Sequence, residues 1–344
     1  MPYRIFVLVL CLFIVGCASV VRNPVPEADH LAVTVLDDPD VRQWGDGKVS
    51  TPFARVRDQD ELEEKYGGVM NREHNYLIIS GGGPRGAYGA GVLTAWAQLG
   101  TRPEFTIVTG VSTGALTAPF AFLGSKYDRQ LETVYTTLDT RQIINTRNFF
   151  AILGGDSVVD SSPLKSLIEE LIDEELISDM AREHRRGRQL LVGTTNLDAG
   201  RPVVWNLTRM AASGHPEAAE LIRQVLLASA SIPGAFPPVY IKVQTPDGRT
   251  YDEMHVDGGA SSQMFFYPVQ FDFRKVRERL DVQGTPTIYL VRNAFLDPPY
   301  KTTSPRLLPI AGRKQGAAGR RPVLQIHAWR GGEMKPVPWR NYVD

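Results

Sequence analysis

Short apolar runs alternate with amphipathic stretches along the chain from residue 75 onward. The apolar runs are four or five residues long and end at polar or glycine residues, which is typical of strands buried in a sheet. The stretches between them carry apolar side chains at three-four spacing, which predicts helices packed by one face. Strands are predicted at residues 76–79, 105–109, 190–193, 202–205 and 287–291, and helices at residues 87–99, 115–123, 161–172 and 217–231. This alternation predicts an α/β domain with a mainly parallel sheet.

Two flanking regions lack this alternation. Residues 17–73 are polar and contain four prolines, so we interpret them as a tether and an irregular lead-in, with one edge strand suggested at residues 31–36. Residues 298–344 are rich in proline and arginine, and only residues 323–326 look like a strand. The chain therefore divides into an N-terminal segment at 1–16, the tether, an α/β domain at 74–297, and a C-terminal segment of unassigned fold.

The first seventeen residues have the layout of an export signal. A single Arg4 precedes an apolar run of about ten residues that ends in small residues, as in a secretory signal peptide. The end of this run, Val15-Gly16-Cys17, resembles the lipobox of bacterial lipoproteins. That resemblance implies cleavage before Cys17, acylation of Cys17, and attachment to the cell envelope at the outer membrane, facing the periplasm. The alternative is a cleaved signal peptide in which Cys17 is incidental.

Composition narrows the functional classes. Lys plus Arg and Asp plus Glu both number 38, so the net charge is zero and binding of nucleic acid through a basic field is excluded. The hydrophobic fraction of 43% excludes a disordered chain. Cys11 and Cys17 are the only cysteines, so no disulfide framework or cysteine metal site is predicted in the body. Histidines and acids show no metal-ligand spacing, and we expect no metal and no cofactor.

A G-x-S-x-G pattern occupies residues 110–114, which read Gly-Val-Ser-Thr-Gly. The pattern is informative only where a strand precedes the serine and a helix follows, and both are predicted here. We therefore interpret Ser112 as a nucleophile on a sharp strand-to-helix turn, with Gly110 and Gly114 needed because side chains there would clash. The N-terminus of the following helix would favour negative charge developing at the serine.

A glycine-rich loop, Gly-Gly-Gly-Pro-Arg-Gly, follows a predicted strand at residues 81–86 and opens a helix. Such a loop can cradle a dinucleotide pyrophosphate, supply backbone N–H groups to an oxyanion hole beside Ser112, or serve only as a tight junction. The dinucleotide interpretation expects an acid at the end of the next strand, whereas Glu104 precedes that strand. We therefore favour an oxyanion hole, with the candidate residues Gly81, Gly82, Gly83, Arg85 and Gly86.

A serine nucleophile needs a base, and the chain offers two candidates. Asp257 lies at a predicted strand end and precedes Gly258 and Gly259, which allow close approach of another loop. A carboxylate whose pKa is raised by burial can accept the serine proton. His327 is the only histidine late enough in the chain for the Ser-Asp-His order of α/β-hydrolases, and it lies in the C-terminal segment.

The order of the three motifs, Gly-rich loop, G-x-S-x-G and Asp-Gly-Gly, resembles the patatin-like phospholipase family. Residues 229–238 also resemble the block that precedes the aspartate in that family, and the resemblance covers residues 75–295. It implies a three-layer α/β/α fold. It also implies a Ser-Asp dyad, with Ser112 as the nucleophile and Asp257 as the base.

The same resemblance implies that N–H groups around Gly82 and Gly83 hold the oxyanion and that Arg85 supports that loop or the anionic intermediate. The expected function is a serine lipid acyl hydrolase of the phospholipase A or lysophospholipase type, acting on membrane phospholipid or another acyl-ester lipid in lipid catabolism or remodelling. The alternatives are a Ser-His-Asp esterase using His327, a non-catalytic lipid-binding lipoprotein, and an acyltransferase in which an alcohol replaces water.

Overall fold

A computed structural model describes residues 22–47, 52–136, 145–146, 159–266, 273–293, 327–330 and 333–336. Its strands are β1 (Arg42–Trp44), β2 (Glu73–Ile79), β3 (Ile107–Val111), β4 (Asn145–Thr146), β5 (Val159–Asp160), β6 (Gln189–Asn196), β7 (Arg201–Asn206), β8 (Val239–Gln244), β9 (Thr250–Asp257), β10 (Gln283–Val291), β11 (His327–Arg330) and β12 (Glu333–Pro336). Its helices are α1 (Pro52–Arg55), α2 (Gln59–Tyr66), α3 (Gly86–Gln98), α4 (Thr113–Leu123), α5 (Asp128–Thr136), α6 (Ser162–Leu171), α7 (Glu174–Arg185), α8 (Leu207–Ala212), α9 (Ala218–Ala230) and α10 (Phe273–Arg279).

The apolar pattern located the central elements correctly. The five predicted strands correspond to β2, β3, β6, β7 and β10, and the four predicted helices to α3, α4, α6 and α9. Single 3-10 turns lie at Gly67–Val69, Gly83–Arg85, Ser125–Tyr127 and Gly258–Ala260. The hairpin of β8 and β9 and the helices α2 and α7 were not predicted, although each is well formed.

The main sheet is parallel at its centre and antiparallel on its flanks. Its strand order is β1-β7-β6-β3-β2-β10-β11-β12, with β9 also paired to β6 and β8 paired to β9. The strands β6, β3, β2 and β10 are parallel, whereas β7, β9 and β11 run antiparallel to their neighbours. The prediction of a mainly parallel sheet is thus right for the centre only. The connections at 197–200 and 245–249 are too short for a crossover, so those strands pair as antiparallel hairpins.

Alternate side chains of the central strands point to opposite faces of the sheet, as strand geometry requires. Leu77 and Val108 belong to the main core, together with side chains from α3, α4 and α9. Tyr76 and Ile107 face the other way and pack with Phe265. The same second face meets α1, α2 and α10, which line a crevice together with Tyr76 and Ile107. Helices therefore cover both faces, giving the predicted three layers.

The N-terminal segment at residues 22–47 packs against the domain rather than standing away from it. Val33 and Val35 are buried in the main core. Burial of these valines favours contact of this segment with the domain over extension into water. In place of the strand suggested at residues 31–36, the structure has two isolated bridges, one from Thr34 to Gln244 at the end of β8 and one from Val35 to Asp38.

Several predictions fall outside the described residues. They concern the signal peptide at 1–16, the acylated Cys17 and the strand suggested at 323–326. Of the C-terminal segment, the structure describes the backbone of β11 and β12, which extend the sheet beyond β10. Within the described ranges, no helix is both long enough and apolar enough to cross a bilayer.

Candidate active site

Ser112 stands on the turn between β3 and α4. Its φ of 57° and ψ of −128° lie in a region that non-glycine residues rarely occupy, as expected of a strained nucleophile elbow. A Cβ added to Gly110 would lie 2.5 Å from the carbonyl oxygen of Gly114, across the turn. A Cβ on Gly114 would instead lie 2.4 Å from the carbonyl oxygen of Ile79 in β2. Glycine is therefore required at position 114 by close packing against β2, and at position 110 by close packing within the turn itself.

The Ser112 hydroxyl donates a hydrogen bond to Oδ2 of Asp257, with 2.5 Å between the oxygens. The other carboxylate oxygen of Asp257 accepts the N–H of Gly259 at 2.6 Å. Both side chains are buried. Burial raises the pKa of Asp257 to about 6, although the hydrogen bonds from Ser112 and Gly259 oppose that rise. The arrangement thus joins the serine hydroxyl to a buried carboxylate whose pKa is high enough for it to accept a proton.

The Asp-Gly-Gly motif brings β9 against β6, which lies beside the serine-bearing strand. Thr194 of β6 is the register partner of Asp257. A Cβ on Gly258 would lie 2.4 Å from the carbonyl oxygen of Gly193, so only glycine permits this approach. The hydroxyl of Thr195 donates to the Asp257 carbonyl at 3.1 Å. Backbone contacts with β6, the strand beside β3, thus hold Asp257 close to Ser112.

The block at residues 229–238 holds both members of the pair through its first residues. Ser229, near the end of α9, accepts the backbone N–H of Ser112 at 3.0 Å and donates to the Gly193 carbonyl at 2.7 Å. The carbonyl of Ser231 accepts the backbone N–H of Asp257 at 2.8 Å. One short segment therefore fixes the nucleophile and the carboxylate relative to each other.

The glycine-rich loop follows β2 and touches the serine. A Cβ added to Gly81 would lie 3.0 Å from Cβ of Ser112. Of the five candidate oxyanion residues, three already donate their backbone N–H to carbonyl oxygens: Gly81, Arg85 and Gly86. Within the described part of the chain, the N–H groups of Gly82 and Gly83 donate to no protein acceptor. The candidate hole therefore narrows to Gly82 and Gly83, and half-buried Arg85 ends the 3-10 turn of this loop.

Gly86 is needed for close packing and not as a donor to the oxyanion, because its N–H already bonds within the loop. A Cβ there would lie 1.9 Å from the hydroxyl oxygen of Thr113 and 2.6 Å from that of Tyr135. The Tyr135 hydroxyl donates to the Thr113 carbonyl at 2.8 Å and lies 2.9 Å from the hydroxyl oxygen of Thr117. This buried cluster braces the first turn of α4 directly behind Ser112.

Asn293, two residues after β10, is a site residue that the sequence analysis missed. Its backbone N–H donates to the Ser80 hydroxyl and its side-chain amide donates to the Ser80 carbonyl, both at 2.9 Å. Ser80 in turn donates to the Gly81 carbonyl at 2.8 Å. A Cβ on Gly82 would lie 2.4 Å from the Asn293 carbonyl oxygen. The available signal was its position: a polar residue just past a buried parallel strand lies at the edge where α/β sites form.

Among the five histidines whose side chains are described, none is hydrogen-bonded to Ser112 or Asp257. His255, on the same strand as Asp257, bonds to Glu253 and Thr194 instead. For His327 the backbone register is described, and it lies opposite Leu290 on β10. Since β2 and β10 separate β11 from β3, about 14 Å divides His327 from the strand that carries the serine.

The described residues contain no group of three or more His, Cys, Asp or Glu side chains able to hold a metal ion. Cys17, the predicted lipidation site, lies outside the described ranges.

Comparison with known proteins places the chain in a family. The family described as patatin-like phospholipase matches residues 77–269, which is more than half of the chain. No match was found among curated proteins. Among solved structures, the chain is similar to VipD from Legionella pneumophila, with 17% identity and a TM-score of 0.39 over 65% of this chain. The match spans about half of that protein, 51% of its chain. By the extent of the family match, the chain belongs to the patatin-like phospholipase family.

Proposed function

We propose that the protein hydrolyses carboxylic ester bonds of membrane lipids through a catalytic dyad of Ser112 and Asp257. The observation that carries this proposal is the 2.5 Å hydrogen bond from the Ser112 hydroxyl to a buried carboxylate whose pKa is raised to about 6. A carboxylate with this pKa is deprotonated at neutral pH yet basic enough to take a proton as the serine attacks.

Family membership supports lipid acyl hydrolase activity in general. We extend this to a phospholipase A or lysophospholipase type of reaction, with a membrane phospholipid or another acyl-ester lipid as the substrate. The role of the enzyme would then be lipid catabolism or remodelling. An acceptor alcohol in place of water would turn the same acyl-enzyme into a transferase, and analysis of the products separates these outcomes.

The first half of the proposed reaction forms an acyl-enzyme. Asp257 takes the hydroxyl proton of Ser112 while the serine oxygen attacks the ester carbonyl carbon. The carbonyl oxygen becomes an oxyanion that accepts the N–H groups of Gly82 and Gly83. Loss of one such donor typically costs about 3–4 kcal/mol of transition-state stabilisation. Asp257 then returns its proton to the leaving alcohol as the ester bond breaks.

The second half of the proposed reaction releases the fatty acid. A water molecule enters beside Asp257, which accepts one of its protons as the water oxygen attacks the acyl carbonyl. The new oxyanion uses the same backbone donors. Collapse of this intermediate returns the proton to the Ser112 oxygen and frees the carboxylic acid. Each proton transfer passes through the Asp257 carboxylate, which already accepts a hydrogen bond from Ser112 in the resting protein.

The proposed location follows from the N-terminal sequence. Residues 1–16 would be removed as a signal peptide, and acylation of Cys17 would hold the enzyme at the cell envelope, on the periplasmic side of the outer membrane. A multiply acylated cysteine anchors stably because each buried CH₂ contributes about 0.8 kcal/mol. We assign residues 74–297 as the catalytic domain, to which residues 22–47 are attached.

The decisive experiment compares three variants on a soluble short-chain ester and on defined phospholipids. Ser112→Ala and Asp257→Asn are expected to abolish hydrolysis, while His327→Ala keeps it. Loss of activity in His327→Ala with the fold intact would replace the dyad by a triad. If wild-type protein forms no adduct with a fluorophosphonate at Ser112, the protein is a lipid-binding member without catalysis.

The pH dependence gives a second test. Because Asp257 must be deprotonated to act, kcat/KM for a non-ionising ester should rise with pH and level off above a pKa of about 6. Below that pKa the rate should fall about tenfold per pH unit. A profile that is flat from pH 4.5 to 8 would contradict the assignment of Asp257 as the base.

A further inference from the structure

The first described residues of the chain are held firmly at one end of the main sheet. The guanidinium of Arg22 donates two hydrogen bonds to the carboxylate of Asp198, at 2.6 and 2.7 Å. The side-chain amide of Asn23 donates to the Thr250 carbonyl at 2.9 Å, and the backbone carbonyl of Asn23 accepts the N–H of Asp252 at 2.7 Å. The N-terminal end of the packed domain is therefore fixed to the β6–β7 turn and to the start of β9.

These contacts lie at the carboxyl edge of the parallel strands, the edge that also carries Ser112. The β6–β7 turn follows the carboxyl end of β6, which is parallel to β3. Asn196, the last residue of β6, is the register partner of His255 in antiparallel β9. The earlier residues of β9, from Thr250, therefore project past β6 on the same side. Arg22 and the nucleophile thus share one edge of the sheet.

The length of chain before Arg22 limits how far an anchor can reach. Cys17 precedes Arg22 by five residues. A fully extended chain of that length spans at most about 17 Å. Lipid attached to Cys17 would therefore keep the edge that contains Arg22 within that distance of the bilayer. The amino edge of the sheet would be turned away from the membrane.

We propose that the carboxyl edge of the sheet, with the turns at 197–200 and 245–249 and the approach to Ser112, is a docking surface for a phospholipid bilayer. This inference rests on the proposed acylation of Cys17 and deepens the proposed function by orienting the enzyme toward its substrate. Leu197, in the first of these turns, is 42% exposed and supplies an apolar contact at this edge.

Charge at this edge is balanced by ion pairs. The pairs are Arg22–Asp198, Lys242–Asp252, Arg249–Asp247, Arg249–Asp29 and Arg201–Asp46. A surface of paired charges gains little from an anionic membrane, in contrast to a polybasic patch. Docking here therefore depends on acyl chains and shallow apolar contact. Vesicles of phosphatidylcholine alone should serve as well as vesicles that contain phosphatidylglycerol.

The test uses two matched leucines in the Ser112→Ala background, which keeps the vesicles intact. Leu197 lies at the carboxyl edge, whereas Leu99 follows α3 near the start of β3, at the amino edge, and is 46% exposed. Since the mature chain has no other cysteine once Cys17 is acylated, Leu197→Cys and Leu99→Cys can each carry one fluorophore. The acylated proteins are reconstituted into vesicles that contain brominated phosphatidylcholine, and their quenching is compared.

The label at position 197 is expected to be quenched at least threefold more than the label at position 99. Equal quenching, or stronger quenching at 99, overturns the proposal, as does an unacylated Cys17 in the mass spectrum of the mature protein. Insertion of twenty Gly/Ser residues after Ala18 should reduce the difference, and an unchanged difference would show that anchor length does not set the orientation. Hydrolysis of a soluble ester by wild type is scored separately, so failure of the dyad and failure of this orientation are distinguishable.

Discussion

Two buried carboxylates on strand β9 behave in opposite ways. Glu253 and Asp257 are four residues apart, so they lie on the same face of the strand. The side chain of Glu253 pairs with Arg42 and His255, and these partners lower its pKa to about 2 despite burial. Among the described residues, the Asp257 carboxylate accepts hydrogen bonds only from the neutral donors Ser112 and Gly259, and burial raises its pKa to about 6. Burial alone therefore does not decide what a carboxylate does; its partners do.

His255 lies between the two carboxylates on β9, and its ring is hydrogen-bonded with Glu253 rather than with Asp257. The indole N–H of Trp205 donates to Thr194, whose hydroxyl lies 2.9 Å from Nδ1 of His255. Nε2 of His255 lies 3.0 Å from Glu253, which fits a neutral ring that donates from Nε2. Burial lowers the pKa of His255, which also favours the neutral ring. This network ties the N-terminal segment to β9 through Arg42 without reaching the serine.

The largest expected effect separates the two carboxylates by activity. Asp257→Asn should reduce kcat on a soluble ester by about 10³-fold, because the general base is lost. Glu253→Gln should keep kcat within about tenfold of wild type when rates are normalised to folded protein, since the Glu253 side chain bonds to Arg42 and His255 and its loss acts on stability rather than on the reaction. An equally large loss in folded Glu253→Gln would show that the two carboxylates act as one unit.

The next effect concerns stability. Arg42→Ala should lower the free energy of unfolding by about 3–5 kcal/mol at pH 7, because it leaves Glu253 buried without its cation. Urea denaturation provides the measurement. The double variant Arg42→Ala/Glu253→Leu serves as the matched control and should recover part of the loss. A single variant within about 1 kcal/mol of wild type would mean that Arg42 does not stabilise this carboxylate.

A third effect is a gain in stability, whereas most substitutions of buried residues lower the free energy of unfolding. The pKa of Asp257 is about 6 in the folded protein and about 4 in an unfolded chain. The folded state is therefore penalised as pH rises through this window, by up to about 3 kcal/mol above pH 6. Asp257→Asn should stabilise the protein by up to that amount at pH 8, and this advantage should vanish near pH 4. A destabilised variant at pH 8 would contradict the raised pKa.

The smallest effect tests a neutral hydroxyl that positions the backbone of Ser112. Ser229→Ala removes the hydroxyl that accepts the Ser112 N–H, and a hydrogen bond of this kind contributes about 1 kcal/mol. We expect kcat to fall about fivefold with KM unchanged. Ser213→Ala removes a hydroxyl bonded to the Met210 carbonyl, away from the site, and should leave kcat unaltered. Equal effects of the two substitutions would remove Ser229 from the positioning of the nucleophile.

Much of the fold could be predicted because burial leaves a periodic trace in sequence. The strands at the centre of the sheet are apolar on both faces, so they stand out as short runs. The hairpin of β8 and β9 was missed, although Ile241 and Val243 are buried and Lys242 and Gln244 between them are exposed, because a half-buried strand gives a weaker signal. The antiparallel flanks likewise depend on the short connections, which the apolar pattern does not reveal.

The sequence by itself determined the local chemistry of the site: a strained serine turn that requires Gly110, a glycine-rich loop, and a carboxylate followed by two glycines. These features depend on neighbouring residues alone. Only the tertiary structure decided that Ser112 and Asp257, 145 residues apart, share one hydrogen bond. It also showed that the Gly81 N–H donates to Gln263 and that Asn293 supports the loop. The physical reason is that hydrogen-bond availability and pKa depend on what the packed chain places around a group, and sequence spacing does not encode that surrounding.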